Sequence, residues 1–180
     1  DRPDPQHEPA ALEIALRTPT PERIFAVRHA MVAGLGDAEI HNLSAIDPWF
    51  LAKLRHIVEA EARLLTGRQL GELSATALLE LKQLGFSDRQ IAWATGSQEL
   101  AVRGYRQTLG VNAVFKTVDT CAAEFASSTP YHYATYERPL ERLGPDGSLE
   151  LIPPENEVTP ESRRKVMILG GGPNRIGQGI

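Results

Sequence analysis

The residues best suited to binding chemistry lie near the C-terminus, where an apolar run, Val166-Met-Ile-Leu169, leads into a glycine-rich stretch ending at Ile180. Gly170, Gly171, Gly172, Asn174, Arg175, Gly177 and Gln178 form a candidate phosphate or carbamate loop. Glycine lets the backbone take positive φ and approach a ligand closely, so successive N–H groups can converge on an anion. Arg175 is the only fixed positive charge in that loop. A dinucleotide fingerprint needs a glycine at the sixth position from Gly170, where Arg175 stands. Gly172 and Gly177 match the outer glycines of a nucleotide-hydrolase phosphate loop, but Gln178 occupies the place of its lysine. The loop is therefore non-standard. An anion cradle and a plain strand–helix turn both fit the spacing.

Three other constellations carry weaker signals. His56 and Glu59 stand one helical turn apart and could supply two metal ligands, yet no third ligand recurs at a suitable spacing; a solvated helix face explains them better. Cys121 and His132 invite a nucleophile–base reading, against which a lone cysteine among small residues is more often a packing residue. Ser87 to Leu109 has the outline of a helix-turn-helix, with Arg103 and Arg106 on its second helix, and DNA binding is the alternative function. Between Lys82 and Arg106, four basic residues face two acidic ones, a thin footprint for phosphate contacts. No catalytic residue and no metal site is assigned within the chain.

The elements that must position these residues are mostly helical. Predicted helices span Glu8 to Arg17, a stretch after Thr20-Pro21 ending at Gly34 or Gly36, Asp37 to Leu43 and Pro48 to Leu65. Three more span Ala75 to Leu84, Asp88 to Thr95 and Gln98 to Leu109. Ser74, Ser87 and Ser97 are expected caps, Ser87 and Gln90 a capping box, and Gly85, Gly96 and Gly110 terminators. Ile24, Val27, Met31 and Val32 are expected on one buried face. So are Phe50, Leu51, Leu54, Ile57, Val58, Leu64 and Leu65, with Lys53, Arg55, Glu59 and Arg63 facing water. Val102, Tyr105 and Leu109 should form the inner face of the last helix.

Past Gly110 the texture changes. Val111 to Val118 reads as extended and Asp119 to Phe125 as one or two helical turns. Tyr131, Tyr133 and Tyr136 read as a seam between domains, and Arg138 to Arg164 as a Pro-rich linker with a turn at Gly144 to Gly147. Val166 to Leu169 then reads as a buried parallel strand. Such a strand needs neighbours and a crossover that the rest of the chain does not offer, so the chain is expected to be a piece of a larger α/β enzyme.

The composition is that of an ordinary globular chain: 180 residues, 42% hydrophobic, 6% aromatic and a formal charge of −4. That charge gives no general attraction to nucleic acid or anionic membrane. The single cysteine excludes an internal disulfide. Neither a leader nor an apolar run of spanning length is visible, and a cytoplasmic location is the expectation.

Phe115-Lys-Thr-Val-Asp-Thr-Cys-Ala-Ala-Glu-Phe-Ala126, Tyr131-His-Tyr-Ala-Thr-Tyr-Glu137 and Ile168 through Ile180 closely resemble the large subunit of carbamoyl-phosphate synthase. Asn42-Leu-Ser-Ala-Ile-Asp-Pro-Trp-Phe50 and Leu81 to Asp88 are similar to it too. The resemblance implies a mainly α fold: a helical oligomerisation domain over 1–110, a docking strap over 111–137 and a linker over 138–164. Residues 165–180 would be the first strand and loop of the second, ATP-grasp-type synthetase half. It also implies an ATP-dependent, glutamine-hydrolysing ligase serving arginine and pyrimidine biosynthesis. That enzyme makes carbamoyl phosphate from bicarbonate, ammonia and two ATP with Mg2+ or Mn2+ and K+. It further implies a homo-oligomer through the helical domain and a small glutaminase subunit as partner. The chain alone is expected to be inactive, with no cofactor of its own.

Overall fold

The computed structural model describes residues 9–119, 121, 124, 131–159, 161–167 and 169. Seven helices dominate: α1 Pro9–Arg17, α2 Arg23–Val32, α3 Asp37–Ser44, α4 Pro48–Leu64, α5 Ala75–Gln83, α6 Asp88–Ala94 and α7 Glu99–Thr108. Four short strands follow, β1 Val114–Thr117, β2 His132–Thr135, β3 Leu140–Leu143 and β4 Leu149–Ile152, paired as β1–β2 and β3–β4. The mainly α fold class is as expected. The chain divides into two units, Asp1–Ala113 with Thr135–Arg138, and Val114–Ala134 with Pro139–Ile180.

Local chemistry sets the helix ends. Asp47 accepts a hydrogen bond from the Trp49 N–H at 2.8 Å ahead of Pro48, whose missing N–H would have had no partner there. The Ser74 hydroxyl accepts from Ala77, and Ser87 and Gln90 form the reciprocal box expected of them. Gly34, Gly85, Gly96 and Gly110 all adopt positive φ just past a helix. In each case the next residue's N–H reaches back five residues, as Phe86 does to Leu81 at 3.0 Å and Val111 to Arg106 at 2.8 Å. This Schellman ending satisfies carbonyls that the helix leaves orphaned, and it turns Phe86 and Val111 into the core.

Burial is organised in two clusters threaded by α4. Its N-terminal Leu51 joins Leu16, Val27, Met31 and Ile40 from α1 to α3. Its C-terminal Ala60 and Leu64 join Leu78, Leu81, Ile91 and Val102 from α5 to α7. Each fully buried Leu or Ile contributes about 1.5–3 kcal/mol, more than the ~1 kcal/mol of a good cap.

Several expected details differ. In α2, Ala26 and Ala30 are buried beside Val27 and Met31, while Ile24 and Val32 are exposed. Small alanines let neighbouring helices approach, so the buried stripe rotates away from the larger side chains. α2 starts at Arg23 with no side-chain cap, not from Thr20. Phe50 is exposed, and Arg55 is half-buried because it pairs with Asp37 at 2.5 Å and donates to the Leu35 carbonyl. Ser97 does not cap α7; its hydroxyl sits 2.9 Å from that of Thr95, and Gln98 is the N-cap residue. Leu109 is exposed at the end of α7.

In the second unit, Glu157 accepts from the Thr117 N–H at 2.7 Å and pairs with Lys116. The segment read as a linker contains the β3–β4 hairpin, with Arg142 opposite Glu150 and Leu143 opposite Leu149. The expected turn closes it: Gly144 accepts from the Gly147 N–H at 3.0 Å, and Gly147 has φ 80°. Val166, Met167 and Leu169 are highly exposed and lie in no strand, unlike the buried strand expected. A strand forms only where a neighbour takes its hydrogen bonds, and no described strand of this chain pairs with them. The helical turns expected over Asp119 to Phe125 fall mostly outside the described residues.

Two glycines give opposite expectations. Gly104 lies inside α7 with open space around its Cβ position. Gly104→Ala should therefore stabilise the chain by about 0.5–1 kcal/mol. Gly85 has φ 92° with equally open surroundings. Gly85→Ala should cost about 1–2 kcal/mol from backbone strain alone. Urea unfolding of both variants checks the pair of signs.

Candidate functional site

Apolar side chains that the two clusters leave outside converge on one face of the helical unit. Ile24 and Phe25 project from α2 and Trp93 from α6, with Leu54, Ile57 and Val58 of α4 between them. Together they border a groove of about 640 Å³. A second hollow of about 400 Å³ adjoins it, sharing Ile24 and Leu54 and reaching Phe50. Phe50 meets Trp49 edge to face with ring centres 4.9 Å apart. Trp93 is 83% exposed and Phe25 62%. Arg28 and Glu61 line the groove but neutralise each other, Arg28 donating from Nη2 to Glu61 Oε1 at 2.8 Å and from Nε to Oε2 at 3.3 Å.

One carboxylate fixes the helix that carries Trp93. Asp88, the first residue of α6, accepts from Lys82 of α5 at 2.9 Å and from Arg106 of α7 at 2.9 and 3.1 Å. All three side chains are about nine-tenths buried. Lys82 also donates to the Phe86 carbonyl and Arg106 to that of Val111, so the Schellman turns after α5 and α7 are held by the same ions. The ring of Tyr136 lies over both cations, 5.3 Å from Lys82 Nζ and 5.9 Å from the Arg106 guanidinium carbon. Burial alone would raise the Asp88 pKa, but the hydrogen bonds from Lys82 and Arg106 outweigh it and hold the carboxyl below its usual range.

The model of the carbamoyl-phosphate synthetase large chain, oligomerisation domain, matches residues 1–110. The chain belongs to this family. The carbamoyl phosphate synthase large chain of a Synechocystis strain is 52% identical over 94% of this chain and 14% of its own length. That of Xylella fastidiosa is 48% identical over the same shares. The arginine-specific, chloroplastic large chain of Arabidopsis thaliana is 46% identical over 94% of this chain and 13% of its own. The chain thus spans about one-seventh of the relatives it matches.

Within the synthetase large-chain family, residues 1–110 coincide with the helical unit that bears the groove. The loop candidates Gly170, Gly171, Gly172, Asn174, Arg175, Gly177 and Gln178 lie outside the described residues. Among the described residues, no group of three or more His, Cys, Asp or Glu could hold a metal ion, and His56 and Glu59 are simply exposed on α4. No described helix is long and apolar enough to cross a membrane. The helix-turn-helix alternative gains nothing from the geometry, because Arg106 is committed to Asp88 and Val111. His132 Nδ1 lies 3.4 Å from the Thr117 hydroxyl, and the Cys121 N–H donates to Asp119. Of the three tyrosines read as a seam, Tyr136 packs against the core and Tyr131 and Tyr133 are exposed. Sequence reasoning passed over Trp93 and Asp88 as site residues; the signal was Trp93 standing beside the inward Ile91 and Ala92.

Asp88 titrates lower in the folded chain than its ordinary value of about 3.9. Its contribution is therefore full above that value and lost as pH falls through the folded pKa. Asp88→Asn should cost about 2 kcal/mol at pH 7, since it weakens two charge-assisted bonds and leaves two buried cations facing each other. The difference between wild type and variant should shrink below pH about 4. Chemical denaturation across pH measures it.

Proposed function

We propose that this chain is the oligomerisation and spacer region of a carbamoyl-phosphate synthase large chain, with 165–180 opening the second synthetase half. The observation that carries the reading is the match of residues 1–110 to the family's oligomerisation domain. The apolar face of the helical unit supports it, because exposed aromatics grouped on one side suit a protein contact better than a solvated surface. The whole enzyme is an ATP-dependent ligase that makes carbamoyl phosphate from bicarbonate, glutamine-derived ammonia and two ATP in the cytoplasm. A small glutaminase subunit is its partner, and ATP with Mg2+ or Mn2+ and K+ are bound by its remaining domains. Carboxyphosphate and carbamate decompose in water, so such an enzyme needs its two halves held at a fixed spacing around an enclosed passage. A helical unit with buried ion ties is suited to that. The chain by itself is inactive in this reading.

Light scattering on the 180-residue chain tests the reading, with a mass above that of a monomer expected at high micromolar concentration. A strictly monomeric mass would overturn self-association. Titration with Mg-ATP should release no measurable heat.

Arg175 in the full-length large chain gives a second test. A guanidinium in a glycine loop can grip a carboxylate or phosphate by two hydrogen bonds. Arg175→Ala should impair carbamoyl-phosphate synthesis at least about tenfold while sparing bicarbonate-dependent ATP hydrolysis. Equal loss of both partial reactions, with lowered thermal stability, would mean that Arg175 only anchors the loop.

A further inference from the structure

Trp93 is the most exposed aromatic of the helical unit, and it stands at the rim of the groove it helps to form. Its neighbours on α6, Ile91 and Ala92, are buried, and Asp88 prevents the helix from rolling to hide the indole. The groove floor beside it is built from Leu54, Ile57 and Val58 of α4, with Ile24 and Phe25 of α2 as the opposite wall. A knob placed next to a hole of apolar character is the arrangement a two-fold contact requires, since each copy then supplies the knob for the other's hole.

The geometry points to a two-fold contact between two copies of this chain, in which Trp93 of each enters the groove between α2 and α4 of the other. The inference rests on the reading that the helical unit self-associates, and it names the surface and its anchor.

Three observations favour a second copy as the occupant. The unit that bears the groove is the one matched by an oligomerisation domain. The charged residues at the groove, Arg28 and Glu61, are paired within one copy, so two identical faces meet without like-charge repulsion. The four aromatics supply half or more of the area such a contact needs: Trp49, Phe50, Phe25 and Trp93 are 61, 58, 62 and 83% exposed. At about 150–250 Å² per aromatic, that amounts to roughly 400–650 Å². A stable contact of standard size buries about 800 Å² per partner, and Ile24 and the walls of α4 extend the patch.

The test uses Trp93 as a reporter in the 180-residue chain carrying Trp49→Phe. On concentrating the chain, Trp93 emission should shift to shorter wavelength and its quenching by acrylamide should fall. Trp93→Ala and Phe25→Ser should each weaken self-association, measured by sedimentation, at least about thirtyfold. Leu100→Ser, an exposed position on α7 that does not line the groove, should leave it unchanged, and circular dichroism should show all variants equally helical. Self-association that persists in Trp93→Ala, with Trp93 still open to quencher, overturns this surface and leaves the proposed function standing. A chain that stays monomeric overturns both. Trp93 shielded in the full-length large chain at concentrations where that chain is monomeric would overturn the two-fold contact and assign the face to another part of the same chain.

Discussion

The arrangement of the second helical cluster depends on one buried carboxylate. Asp88 sits between a lysine from the preceding helix and an arginine from the following one, and each cation also holds a carbonyl at a helix end. Two cations against one carboxylate leave a surplus positive charge, and the face of the Tyr136 ring lies over it. Leucines supply most of the stabilisation, but apolar contacts are non-directional and would tolerate several rotations of a seven-residue helix. The ion cluster selects one. That rotation sends Ile91 and Ala92 inward and Trp93 outward.

The other helices divide large and small apolar residues by the same steric logic. A ten-residue helix buries one stripe, and α2 spends it on Ala26, Val27, Ala30 and Met31. Alanines allow close approach of α1 and α3, which leaves Ile24, Phe25 and Val32 outside. α4 does the same at its start, burying Leu51 and exposing Trp49 and Phe50. The apolar face therefore follows from how the interior is packed.

Much of the fold was legible in the residues. Capping serines at 74 and 87 and glycines at 34, 85, 96 and 110 marked helix ends by chemistry that acts within five residues, and the structure uses each of them. Rotation of the helices was less legible, because Ile24, Val32 and Phe50 look like core by type and only tertiary approach decides between them and the alanines. The β3–β4 hairpin was visible in its Gly144–Gly147 turn but not in its strands, which are four residues long and carry leucines on both faces. Ser97 failed as a cap because Thr95 engages its hydroxyl. The groove was the least legible feature, since it joins residues from 24 to 94 that no short-range pattern connects.

Amide hydrogen exchange, measured on the 180-residue chain at low and at high micromolar concentration, addresses the central claim most directly. Contact through the groove should slow exchange in α2, Arg23–Val32, and in α6, Asp88–Ala94, while the β3–β4 hairpin exchanges at the same rate at both concentrations. Slowing confined to the hairpin, or no concentration dependence in α2 and α6, would contradict the account.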